Sequence, residues 1–142
     1  MTEAVLRLLG PPVLCRADGP PLIPQPGAKE LALLAYLLLE PGPHTREELA
    51  GLLWGESPEP EARASLRQAL KHLRDAVGDA VRGDRRQVEV ASPIACDVTE
   101  FRRRLAGAPL EAVGYDVPRF LAGFSVRHAP RFEEWVSEVR TT

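Results

Sequence analysis

Two cysteines in 142 residues, Cys15 and Cys96, stand without a CxxC or a nearby histidine pair. That spacing supports neither a zinc site nor a disulfide framework, and no metal or cofactor is expected. The longest apolar run, Leu31 to Leu39, is nine residues. A bilayer-spanning helix needs roughly 20, so none is expected here. The start, "MTEAVLRLL", lacks the charged head, long apolar stretch and small-residue cleavage site of a signal peptide. A cytoplasmic protein is expected, with both cysteines reduced. The sequence also lacks a P-loop, GxGxxG, GxSxG and HExxH. Its three histidines, His44, His72 and His128, fall in three different elements, and no enzyme is expected. There is no internal repeat and no low-complexity tract.

What is present supports a packed core. The chain is 44% hydrophobic and 27% charged, which excludes wholesale disorder. Fourteen prolines and eleven glycines imply short elements with sharp joins. "AVLRLLG" and "PPVLCRADGPPLIP" read as short strands between Gly and Pro turns. "GAKELALLAYLLLEPG" predicts a helix over 28–39, with Leu31, Leu34, Ala35 and Leu38 buried and Pro41-Gly42-Pro43 as its stop. In "HTREELAGLLWG", Thr45 followed by Glu48 is a capping-box pattern, and Leu49, Leu52 and Leu53 form the inner face. "GESPEPEA" carries two prolines and three acids, Glu56, Glu59 and Glu61, and reads as an acidic loop.

"ARASLRQALKHLRDAVG" predicts a third helix over 62–77. Leu66, Leu70, Leu73 and Val77 repeat at helical spacing, while Ser65, Gln68, Lys71, His72 and Asp75 lie on the other side. Arg67 and Arg74 flank the boundary. The net charge of the chain is −2, yet its cations collect here. Residues 63 to 86 hold seven (Arg63, Arg67, Lys71, Arg74, Arg82, Arg85, Arg86) against three acids (Asp75, Asp79, Asp84). The local balance is therefore +4, and the remainder carries −6. By itself this face fits a solvated surface helix as well as a binding one; binding responds to the local field rather than to the sum.

"AVRGDRRQVEVAS" predicts a β-hairpin over 80–91, with Gly83-Asp84 in the turn. "CDVTEFRRRL" opens a further helix with Asp97 and Glu100 at capping-box spacing. The tail after residues 106–109 is expected to hold two helices, the last over about 130–140. There Phe132, Trp135, Val136 and Val139 share one face, which packs on Leu121 and Phe124 or pairs with a second copy of the chain. Strands, three helices and a hairpin directly after the third helix give the order of an α+β winged helix. In that architecture the third helix enters the major groove and the hairpin meets the DNA backbone.

Five stretches, "LRLLGPPVL", "KELALLAYLLLEPGPHTREELAGLLWGE", "EARASLRQALKHLRDAVG", "DRRQVEV" and "CDVTEF", together resemble the OmpR/PhoB-type winged helix of the Streptomyces antibiotic regulatory protein family. The stretch "FLAGFSVRHAPRFEEWVSEVR" looks like the opening of the bacterial transcriptional activator domain, a set of tetratricopeptide-like helices. The resemblance implies a DNA-binding domain over 1–95 and the start of an activator domain over 96–142. The chain is then either a piece of a longer protein or a short stand-alone member. No receiver domain is expected ahead of the first strand.

The implied function is transcriptional regulation, with double-stranded DNA as partner. Lys71 suits guanine O6/N7 and Gln68 adenine N6/N7. Arg63 and Ser65 lie near the groove-facing end, and Arg67 and Arg74 suit phosphates. His72 is either a contact or a solvated surface histidine. Arg82, Arg85 and Arg86 suit the backbone beside the hairpin. In the resembled family the loop before the third helix faces RNA polymerase, often a basic region of a sigma factor, a role in which Glu56, Glu59 and Glu61 fit. A homodimer through the last helix is a further expectation. The alternative from another class is a protein-interaction adaptor that keeps the fold without binding DNA.

Overall fold

The computed structural model describes residues 4–16, 19–91, 94–100 and 120–140. Two small sheets bracket a helical core. In the first, β1 (Ala4–Arg7) pairs antiparallel with β2 (Val13–Arg16), with Val5 opposite Cys15 and Leu6 opposite Leu14. β6 (Ala95–Cys96) adds to the other edge of β1 in parallel. Alternation along β1 buries Ala4 and Leu6 against the helices. Gln25 ties the following loop to this sheet: its amide donates to the carbonyls of Leu14 and Leu22 at 2.7 and 2.8 Å and accepts from the Leu14 N–H at 2.9 Å.

The helices are α1 (Ala28–Leu39), α2 (Arg46–Trp54) and α3 (Glu59–Val77). α1 is buried nearly all round, although Leu38 is only half-buried while Leu33, Leu37 and Leu39 are inside. At α2 the expected cap is present, with the Glu48 N–H donating to Thr45 Oγ1 at 3.0 Å. α3 buries Leu66, Leu70, Leu73 and Val77, and adds Ala62 and Ala69. Gly78, at φ +63°, ends it, a conformation a Cβ would strain.

α3 begins three residues earlier than its sequence suggests. Its N-cap is Pro58, and Pro60 sits in the first turn. A proline there forfeits only an N–H that the helix leaves unpaired anyway. Glu59 and Glu61 accordingly belong to the first helical turn, where acids complement the helix dipole. Of the three acids expected in a loop, only Glu56 lies in one.

The second sheet has the order β3-β5-β4. β4 (Val81–Gly83) and β5 (Gln87–Val90) form the expected hairpin, and β3 (His44–Thr45) pairs with β5 ahead of α2. Val88 is buried and Gln87 and Glu89 are exposed, as the alternation requires. A helical turn starts at 97–100. Asp97, at the head of this turn, also makes a longer connection. The Asp97 carboxylate accepts from the N–H groups of Leu8 (2.9 Å) and Leu9 (3.1 Å). Those donors continue β1 past its last ladder pair and need a partner.

The final helix, α4 (Pro130–Arg140), packs against α2. Phe132, Trp135, Val136 and Val139 are all buried, and they join the same core cluster as the first sheet and α1–α3. Phe120 and Leu121 lie beneath them, and Arg140 donates to both of their carbonyls. The expectation that part of this face stays open for a second copy is therefore corrected: the chain's own α1, α2 and 120–121 segment cover it. The other expected tail helix, and the start of the expected second domain, fall on 101–119, outside the described residues. The expected boundary after residue 95 runs through β6.

Candidate nucleic-acid interface

α3 presents its cations on one shoulder. At about 100° per residue, Arg63, Arg74, Arg67 and Lys71 follow one another across roughly 80° beside the buried stripe. The hairpin faces this shoulder across an open cleft of about 860 Å³. Arg63, Arg67 and Arg74 line it from α3, Arg85 and Arg86 from the hairpin turn, and Arg46 from the start of α2. Two acids, Glu47 and Asp84, share it. Six guanidinium groups thus converge from three successive elements, α2, α3 and the hairpin.

The hairpin is held in position over the cleft by named contacts. The Arg46 N–H donates to the Arg86 carbonyl at 2.8 Å, and its Nε donates to the Asp84 carbonyl at 2.6 Å. Asp84 Oδ1 accepts from the N–H groups of Arg86 (2.7 Å) and Gln87 (2.8 Å), closing the turn. Those two backbone donors hold the exposed Asp84 carboxyl below its ordinary pKa. Gly83 permits the close approach of Arg74: a Cβ at this position would stand 3.3 Å from the Arg74 guanidinium and 3.0 Å from the Gln87 carbonyl.

Partial burial lowers the pKa of Arg46, and the neighbouring cations Arg74 and Arg67 lower it further against the opposing pull of Asp84. Like charges gathered this way favour an anion among them. Arg46 is the residue that the sequence reading missed. A signal was there: Arg46 directly follows the Thr45 cap, where the positive end of the helix dipole disfavours a cation.

The other expected site residues divide. Arg63 reaches the cleft edge but also pairs with Glu59 one turn back, at 2.7 Å. Both partners are well exposed, so the pair is a weak competitor for a phosphate. Gln68 and Lys71 are exposed on the outer face next to the basic shoulder. Ser65 and His72 are not with them. Ser65 is half-buried on the opposite shoulder. His72 Nδ1 lies 3.5 Å from Glu30 Oε1 of α1, and His72 lines a separate groove of about 420 Å³ with Asp75, Ala76 and the loop 22–27. Arg82 is also outside the cleft, opposite Glu89 on the neighbouring strand. Glu56, on the short loop before α3, has its Oε1 3.2 Å from His128 Nδ1.

Cys15 and Cys96 are free and buried, and burial raises the Cys96 thiol. Among the described residues, no group of His, Cys, Asp or Glu forms a metal-holding cluster, and no helix is long and apolar enough to cross a membrane.

No protein-family model matches this sequence, and no curated protein matches it. Among solved structures, the fold is similar to that of EmbR from Mycobacterium tuberculosis in complex with a low-affinity phosphopeptide. The TM-score is 0.62 at 22% identity, over 99% of this chain and 41% of that one. The chain therefore spans about two fifths of the length of its structural neighbour. The likeness extends to the fold, an α+β arrangement consistent with a winged helix.

Proposed function

We propose that this chain is a DNA-binding transcriptional regulator. The observation that carries the reading is the convergence of Arg46, Arg67, Arg74, Arg85 and Arg86 on one cleft beside an exposed helical face. The phosphate backbone is the ligand for such a cleft, and affinity for it is sequence-independent and salt-dependent. Gln68 and Lys71 then meet base edges in the major groove, and the hairpin acts as the wing. The fold shared with EmbR supports the architecture.

Activation is assigned to the acids before and at the start of α3. Glu56, Glu59 and Glu61 are exposed, and they complement a basic surface of RNA polymerase, whose approach such charge steers. The last helix, α4, belongs to a helical module of the activator type, and the protein works in the cytoplasm, where its DNA is.

A gel shift on genomic fragments across a salt series tests the reading, and selection of bound DNA from a random pool identifies the operator. Salt-sensitive binding with a selected consensus is expected. Absence of DNA binding at low salt would leave the interaction-adaptor reading. In a reconstituted transcription assay, changing Glu56, Glu59 and Glu61 to Gln should lower transcript yield with operator affinity retained.

A further inference from the structure

We propose that Trp135 and His44 are positioning residues for the hairpin, linked by a hydrogen-bond chain that runs from the last helix to the second sheet. The inference rests on the DNA-binding reading only for its functional consequence. β3 is two residues long, His44 and Thr45, and it pairs with Val88 and Gln87 of β5. So short a strand cannot fix its own direction. Thr45 is held by capping α2. His44 must be held by its ring.

The ring is 12% exposed and is bonded at both nitrogens. Nδ1 lies 2.7 Å from Glu48 Oε2, and Nε2 lies 2.5 Å from the Glu40 carbonyl. A carboxylate and a carbonyl only accept. Both ring nitrogens thus face acceptors, and the ring is gripped between α1 and α2. Glu48 Oε2 also accepts from the Tyr36 hydroxyl at 2.8 Å. Burial, then the Glu48 bond and the acids Glu48, Glu40 and Glu138, raise the Tyr36 phenol above its usual value, so it stays a donor. Glu40 carries the link onward: its carboxylate accepts from Trp135 Nε1 at 3.0 Å. The Trp135 indole meets the Tyr36 ring edge-on at 5.0 Å.

The groups around His44 are thus Tyr36 and Glu40 from α1, Glu48 from α2 and, beyond Tyr36, Glu138 from α4. From β5 it faces uncharged Val88. Arg46, two residues on, is turned to the hairpin turn. When either of the two ring bonds is lost, β3 loosens, and the arginines of the hairpin turn lose their fixed station over the cleft.

Amide exchange at Val88, followed by NMR on the full chain, tests this without DNA. His44→Ala removes both ring bonds and should raise exchange there. Trp135→Phe keeps the ring packing but removes the N–H, and should raise exchange at Val88 by about two- to tenfold, the span of one hydrogen bond. Glu40→Gln keeps an acceptor for Trp135 and should stay close to the parent. Operator affinity should follow the same order. Val88 exchange in Trp135→Phe equal to that of the parent would overturn the positioning role. Loss of protection across the whole chain in Trp135→Phe would also overturn it, by showing the residue to be core packing alone. DNA binding without the exchange effect would sink this inference and leave the DNA reading standing; the exchange effect without DNA binding would do the reverse.

Discussion

Along one shoulder of α3 stand Arg63, Arg67 and Arg74, facing the hairpin across the cleft. Along the other stand Ser65, His72 and Ala76, where His72 meets Glu30 and the loop 22–27. The buried leucines are common to both. What differs is what each shoulder faces. The hairpin brings more cations to the first, while α1 brings an acid to the second. A helix that reads as uniformly basic is therefore one-sided in space, and the side is chosen by elements outside the helix.

The most severe way to break the comparison is to remove what both shoulders share. Leu70 is 1% exposed, under the middle of α3. Leu70→Ala should cost about 2 to 5 kcal/mol of folding stability through lost burial and a residual cavity. Denaturant unfolding measures it. Both grooves should be lost in one transition, since the leucines under α3 belong to a single core cluster. A separate, earlier loss at only one shoulder would show that the two are independent units.

A finer cut separates reading from gripping within the basic side. Lys71→Ala should weaken the preferred site by about 1 to 3 kcal/mol and random DNA much less. Arg86→Ala should weaken both by a similar factor and flatten the slope of log K against log salt by about 0.9. Binding isotherms of both variants on both DNAs decide the matter. Equal losses on the two DNAs for Lys71→Ala would mean that the outer face of α3 meets only phosphates.

Acid should act on the cleft through its turn. Asp84 accepts two backbone N–H bonds as a carboxylate, which depresses its pKa. Its contribution to the turn is therefore present above the unfolded-state value and is lost as pH falls through the lower, folded one. Asp84→Asn should remove that acid-side change in the amide signals of Arg86 and Gln87.

Much of this arrangement was legible in the residue pattern. The helical repeat of Leu66, Leu70, Leu73 and Val77, the Thr45 cap and the alternation around Val88 are local signals, and local hydrogen bonding enforces them. The acidic stretch misled because Pro58 and Pro60 read as breakers, whereas a helix start tolerates them. The long-range role of Asp97 went unread because its donors, the N–H groups of Leu8 and Leu9, are nearly ninety residues away. Arg46 went unread for the same reason: its partners, the carbonyls of Asp84 and Arg86, are supplied by the fold. The apolar face of α4 was visible, but periodicity says only that a face is buried, and not by what.

The smallest expected effect belongs to His72, and it sharpens the comparison most. His72 lies close to the base-reading positions Gln68 and Lys71 in sequence and is half-exposed, so proximity along the chain would make it a DNA contact. Its Nδ1, however, is directed at Glu30, on the side away from the arginine cleft. A pair this exposed contributes little to stability. His72→Ala should therefore change both folding stability and operator affinity by no more than about 0.5 kcal/mol. The check is one titration on the selected operator beside Lys71→Ala. If His72→Ala lost as much affinity as Lys71→Ala, the DNA would have to reach across the outer face to the Glu30 side. The cleft would then be one edge of a wider interface, and the asymmetry of α3 would describe its neighbours within the chain rather than its ligand.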